Sequence, residues 1–252
     1  SWAEKTSCEA AAAIIAVSDG MRADVLAAYP GVDPKKVVTI RNGVDTSKFA
    51  PNNNPAVLQE FGITGRYAMF VGRITRQKGL AHLLRAWKNV PAEYGLVLAA
   101  GSPDEETVGN EVAALIAELQ ATRSNIWWIK EMLPHEKLTA ALTQADLFLC
   151  PSIYEPLVIV NLEAMGCETA VLASRVGGIP EVVSHQETGI LVDYTPDHSR
   201  FEADLTAAIS ELMADPARLE KYGKAGRVRA ETHFGWDAVA EQTISLYRSV
   251  IS

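Results

Sequence analysis

What most limits the fold of this chain is an alternation: six short apolar runs, rich in β-formers, separated by longer amphipathic stretches. The runs are "YAMFVG" (67–72), "GLVLAAG" (95–101), "NIWWIK" (125–130), "DLFLCPS" (146–152), "AVLASR" (170–175) and "GILVD" (189–193). Between them, "GLAHLLRAWKNV" and "PHEKLTAALTQA" carry helical spacing, and Asp104, Glu105 and Glu106 stand where a helix N-terminus favours negative charge. Strands that alternate with crossover helices form a parallel sheet covered on both faces. The pattern therefore predicts a doubly wound α/β domain over 51–235, with helical stretches near 202–214 and 216–231 and a final helix over 236–252.

Upstream, residues 4–29 and 37–41 read as helix, strand "AIIAVS", helix "GMRADVLAAY" and strand "VVTIR". One such βαβ unit is too small to bury its own apolar faces. The Asn-, Gly- and Pro-rich stretch "NGVDTSKFAPNNNPAVLQ" reads as a linker. Residues 1–50 are thus expected to be the end of another domain with its linker, covered by the rest of that domain or by a second copy of the chain.

Composition narrows the function classes. A chain of 252 residues that is 48% hydrophobic buries a large core and is unlike a disordered polymer. A formal charge of -8 argues against nucleic acid and against anionic membrane surfaces. No apolar run approaches the roughly 20 residues of a membrane helix, and no signal peptide is evident, so a cytoplasmic location is expected. The 3 cysteines form no C-x-x-C pair and the 5 histidines no H-E-x-x-H, so neither a disulfide framework nor a metal site is expected.

In an open parallel sheet, ligands bind beyond the carboxyl ends of the strands, so the residues after each strand are the candidates. After the first come Gly72, Arg73, Lys78 and Gly79, with Arg73 and Lys78 suited to a diphosphate and the glycines to close backbone approach. Two solvated cations in a turn would look the same. After the second stands Gly101, after the third Met132 in "IKEMLP", and after the fifth Gly177, Gly178, Pro180 and Glu181, which also read as a plain turn. The fourth strand leads into "SIYEPLVIVNLEAMG". There Pro156 suits the first position of a helix whose free amides, at Leu157, Val158 and Ile159, would face an anion. Glu155 precedes that helix and Glu163 lies two turns in, both suited to accept hydrogen bonds from sugar and ribose hydroxyls. Glu163 as an ordinary wet-face residue and Glu155 as a helix-start anion remain the plainer readings. The adjacent Trp127 and Trp128 should face opposite sides of their strand as packing residues.

In order and spacing, "IRNGVD", "FVGRITRQKGL", "SIYEPLVIVNLEAMGCETAVLAS", "VGGIPEVV" and "TGILV" resemble the retaining GT-B glycosyltransferases related to glycogen synthase and sucrose synthase. "CETAV" and "IKEMLP" look most like the bacterial glycogen synthase branch, and the E-x7-E spacing of Glu155 and Glu163 is the most specific part. The resemblance implies two Rossmann-like domains, of which this chain holds the donor-binding one and a remnant of the acceptor-side one. It implies that Arg73 and Lys78 neutralise the diphosphate of ADP-glucose or UDP-glucose without a metal or other cofactor. It also implies that Glu155 contacts the transferred sugar, Glu163 contacts the ribose, and the acceptor is a glucan or related sugar. Configuration would be retained, through same-face attack or through a covalent glycosyl intermediate. A noncatalytic nucleotide-sugar-binding module is the alternative. The chain departs from the family pattern at Val158, where many members have Gly, so a branched side chain stands among amides expected to approach the donor.

Overall fold

A computed structural model describes residues 2–157 and 159–251. The helix α1 (Trp2–Ala10), strand β1 (Ile14–Ala16), helix α2 (Asp19–Ala28) and strand β2 (Val37–Thr39) come first. After the short α3 (Ala56–Glu60) the pattern settles into β3 (Tyr67–Ile74), α4 (Leu80–Trp87), β4 (Gly95–Pro103), α5 (Glu106–Thr122), β5 (Ile126–Ile129) and α6 (His135–Gln144). It continues with β6 (Leu147–Cys150), α7 (Ile159–Gly166), β7 (Ala170–Ser174), α8 (Ile179–Val182) and β8 (Gly189–Val192). Three helices, α9 (His198–Met213), α10 (Pro216–His233) and α11 (Trp236–Ile251), follow without an intervening strand.

The six expected runs form one parallel sheet of order β5-β4-β3-β6-β7-β8, so the chain reverses its direction of growth between β3 and β6. Their side chains alternate between two cores, as a period of two requires. Ala68, Phe70, Leu96, Leu98, Leu147 and Leu149 pack under α4, α5 and α9. Tyr67, Met69, Val97, Phe148 and Val171 pack on the other face with residues of α6, α7 and α10. β6 and β7 are buried throughout, as central strands covered on both faces are. On the edge strand β5, Trp127 joins one core and Trp128 the other, with indole N–H groups donating to the carbonyls of Gly62 (3.1 Å) and Ala100 (2.9 Å).

β1 and β2 form a separate two-stranded parallel sheet. Asp215 accepts from Arg218 N–H at the start of α10, and Pro216 occupies the first turn. The acidic cluster stands at the start of α5 as expected, with Glu105 at the N-cap and Glu106 in the first turn, but the Glu105 side chain makes no capping hydrogen bond. Asp104 pairs instead with Arg73, and Glu105 lies 3.9 Å from Arg76. Arg73 is on β3 and Arg76 in the turn that follows it, so these pairs link the exits of β3 and β4.

The start of α7 also differs from expectation. The helix begins at Ile159, and Pro156 and Leu157 belong to a loop. The cause is tertiary. The carbonyl of Glu155 accepts from Gly178 N–H at 3.0 Å, and a Cβ on Gly178 would lie 2.2 Å from the carbonyl oxygen of Pro156. Leu157 therefore offers no helical amide, while Val158 lies outside the described residues. Ile159 begins the helix, so its amide and those after it are the ones without intrahelical acceptors.

Candidate functional site

The sheet's reversal between β3 and β6 opens a crevice at the carboxyl ends of those strands. Two cavities meet there at Val71 and Gly72, the last part of β3. One, of about 390 Å³, is largely apolar and is lined by Ala99, Gly101, Met132, Leu133 and Leu138, with Arg73 at its rim. The other, of about 320 Å³, is lined by Lys78, Glu155, Leu157, Ile159, Val160 and Glu163. The two carboxylates of E-x7-E thus share one cavity with a lysine from a loop 77 residues upstream of Glu155.

Gly79 explains how Lys78 arrives there. A 3-10 turn over Arg76–Lys78, in which Thr75 accepts from Lys78 N–H at 3.3 Å, ends at Gly79 with φ of 65°. A Cβ on Gly79 would stand 1.9 Å from the carbonyl oxygen of Pro151, so the turn docks directly on the exit of β6. Gln77 carbonyl accepts from Ile153 N–H at 2.8 Å and fixes the same junction. The close approach that Gly79 makes here is to backbone.

Docked in this way, Lys78 Nζ donates to Glu155 Oε2 at 2.6 Å. Arg73 points elsewhere: its side chain is 71% exposed and pairs with Asp104 at 2.6 Å. The two cations expected to act together line different cavities of the crevice. Met132 is almost fully exposed at the lip of the apolar cavity. Among the described residues no cation pairs with Glu163, and burial pushes its carboxyl pKa above the ordinary glutamate value. Burial likewise raises the thiols of Cys150 and Cys167, so these cysteines are protonated packing groups.

Several contacts were not apparent in the sequence. Gly177 has φ of 52°, and a Cβ there would fall 1.8 Å from the carbonyl oxygen of Glu155. This glycine pair therefore supports the backbone that carries Glu155. Glu181, in the short helix α8 that follows this glycine pair, reaches across to the first segment of the chain. Its Oε1 accepts from the amides of Asp19 (2.8 Å) and Gly20 (3.2 Å) at the start of α2, and its Oε2 accepts from Arg41 Nε (2.8 Å). Arg41 also pairs with Asp19 at 2.7 Å. Tyr154 donates to Asp24 of α2 at 3.3 Å. Residues 19–41 are in this way held beside the crevice. Among the described residues, no cluster of His, Cys, Asp or Glu side chains forms a candidate metal site, and no helix is long and apolar enough to cross a membrane.

Residues 59–229 match the family described as Glycosyl transferases group 1, and residues 1–48 match Glycosyltransferase Family 4. The chain belongs to the group 1 glycosyltransferases. It is 49% identical to the alpha-maltose-1-phosphate synthase of Mycolicibacterium smegmatis, over 99% of this chain and 66% of that protein. The chain therefore spans just under two thirds of that relative's length. Its fold matches sucrose-phosphate synthase of Thermosynechococcus elongatus with a TM-score of 0.83 and 30% identity, over 99% of this chain and 61% of the other. It also matches Anabaena HepE in complex with UDP-glucose, with a TM-score of 0.85 and 21% identity, over 96% and 65% of the two chains. These matches support the α/β parallel-sheet fold of GT-B glycosyltransferases. The M. smegmatis relative is named for maltose 1-phosphate, which is narrower than, and different from, the expected glycogen synthase branch.

Proposed function

We propose that this chain supplies the donor side of a retaining hexosyltransferase that moves glucosyl from ADP-glucose or UDP-glucose to a sugar acceptor. The observation that carries this reading is the pair of cavities joined at Gly72, one apolar and one holding Lys78, Glu155 and Glu163. A flat base suits the apolar cavity, a diphosphate bridges past Gly72, and hydroxyl groups suit the carboxylates. Lys78 neutralises charge on the departing diphosphate, assisted at longer range by Arg73. Glu155 orients the transferred sugar and Glu163 the ribose. Group transfer breaks the bond between the anomeric carbon and the diphosphate oxygen while an acceptor hydroxyl oxygen bonds to that carbon. The hydroxyl proton passes to the leaving diphosphate when attack comes from the same face.

The acceptor is a glucan on the first reading. The M. smegmatis relative's name favours a second, in which the acceptor is glucose 1-phosphate, since glucosyl transfer to it yields maltose 1-phosphate. Incubating the chain with radiolabelled ADP-glucose or UDP-glucose, in the presence of glycogen or of glucose 1-phosphate, separates these acceptors by the product that gains label. Saturable donor binding without labelled product with either acceptor supports the noncatalytic binding module. Donor-induced thermal stabilisation that survives both Arg73→Ala and Glu163→Ala shows the site to be misassigned.

A further inference from the structure

Glu155 is held by more than Lys78. Ser152, 1% exposed and two residues past the end of β6, donates from Oγ to the same carboxylate oxygen, Oε2, at 3.3 Å. Behind it, Cys150 Sγ lies 3.6 Å from Ser152 Oγ, and the carbonyl of Cys150 accepts from Ser174 Oγ at 3.4 Å. The one hydroxyl hydrogen of Ser152 goes to the carboxylate, which can only accept, so in the Sγ–Oγ contact the thiol is the donor. That sets the direction of the chain: thiol to hydroxyl, hydroxyl to carboxylate. Oε2 thus receives two donors from the protein, and Oε1 receives none among the described residues.

We propose that Ser152 is a positioning residue that fixes the Glu155 carboxylate so that Oε1 is presented to the donor sugar. The inference rests on the reading of Glu155 as a sugar contact. Lys78 alone cannot perform this task throughout binding, because an arriving diphosphate competes for its Nζ. A carboxylate held only by that lysine would be released when orientation matters. Ser152 is shielded from solvent behind Glu155, so its hydrogen bond persists in the loaded state. Its contribution is therefore greater for a nucleotide sugar than for a nucleoside diphosphate that lacks the sugar.

The test is calorimetric titration of the full chain with ADP-glucose, UDP-glucose, ADP and UDP, using wild type, Ser152→Ala, Glu155→Gln and the double variant. Ser152→Ala is expected to lose roughly tenfold in affinity for the preferred nucleotide sugar while keeping its affinity for the matching diphosphate. On the Glu155→Gln background the serine substitution is expected to add no further loss, because the two act as one unit. Ser152→Cys, close in size, provides the same comparison should Ser152→Ala unfold. An unchanged nucleotide-sugar affinity in Ser152→Ala, beside a defective Glu155→Gln, overturns the role of Ser152 alone. So does a loss that simply adds to that of Glu155→Gln, which is the signature of general structural damage. A Glu155→Gln variant that binds nucleotide sugar like wild type overturns the reading of Glu155 itself, and this proposal with it.

Discussion

Lys78 Nζ and Glu155 Oε2 stand 2.6 Å apart, with side chains 24% and 11% exposed. Neither charge is fully hydrated, so each is the other's main compensation. The pair ties the turn after β3 to the exit of β6.

Removing one partner strands the other. Lys78→Met is expected to cost about 1–3 kcal/mol of stability, between the values for exposed and fully buried pairs. Adding Glu155→Gln should recover part of that loss, since the stranded charge is removed. Urea denaturation midpoints of both single variants and the double variant check this. Lys78→Met should also weaken diphosphate binding, measured by titration with ADP and UDP.

Glu163 predicts a pH dependence with a definite sign. Burial raises its folded pKa above the usual 4.5, so the folded state holds the proton more tightly than the unfolded state does. Its stabilising contribution is fully present below pH 4.5 and is lost as pH rises through the folded value. Glu163→Gln is therefore expected to be more stable than wild type near neutral pH and to show a flatter stability profile above 4.5. Donor affinity should move the opposite way. In wild type it strengthens as Glu163 ionises, and in the variant that rise disappears. Thermal melts and nucleotide-sugar titrations across the acid to neutral range read both effects.

Gly177→Ala places a Cβ within 1.8 Å of the Glu155 carbonyl at a backbone φ of 52°. The expected cost is about 2 kcal/mol or more, a fall in Tm of roughly 4–8 °C. Gly62→Ala is the control, since φ there is also positive, at 64°, but open space surrounds the new methyl. Only the Gly177 variant should also lose affinity for nucleotide sugar, through displacement of Glu155.

Glu181→Ala removes the acceptor shared by the amides of Asp19 and Gly20 and by Arg41. Local opening of residues 19–41 is expected to become easier by about 1–3 kcal/mol. Hydrogen exchange checks this directly: the Asp19 and Gly20 amides should exchange faster, while those of Met69 and Phe148 in the sheet keep their protection.

The sheet was legible in the sequence because its cause is local. Tyr67, Ala68, Met69 and Phe70 alternate between the two cores by a period that can be counted along the chain. Trp127 and Trp128 divide in the same way. The site was legible only in its residue types. The spacing of Glu155 and Glu163 marked both as candidate hydroxyl acceptors, and the structure brings the two to one cavity, which the spacing did not foretell. Arg73 and Lys78, four residues apart by intervening count, looked like partners but diverge, because Asp104 on the neighbouring strand's exit captures the arginine. Ser152 carried one faint signal, a small polar residue between a buried strand and a carboxylate.

By itself the sequence determined which residues form the strands, which face each one covers, and at which end of the sheet polar chemistry gathers. These follow from apolar periodicity and from glycine- and proline-bearing turns, which act over a few residues. Only the tertiary structure decided where α7 begins, which carboxylate oxygen Lys78 and Ser152 hold, and how Glu181 grips the start of α2. Those outcomes depend on groups 77 and 162 residues apart meeting within hydrogen-bond distance, as Lys78 meets Glu155 and Asp19 meets Glu181. Such meetings arise from the packing of the whole sheet, because a missing Cβ at Gly79, Gly177 or Gly178 matters only once another backbone lies against it.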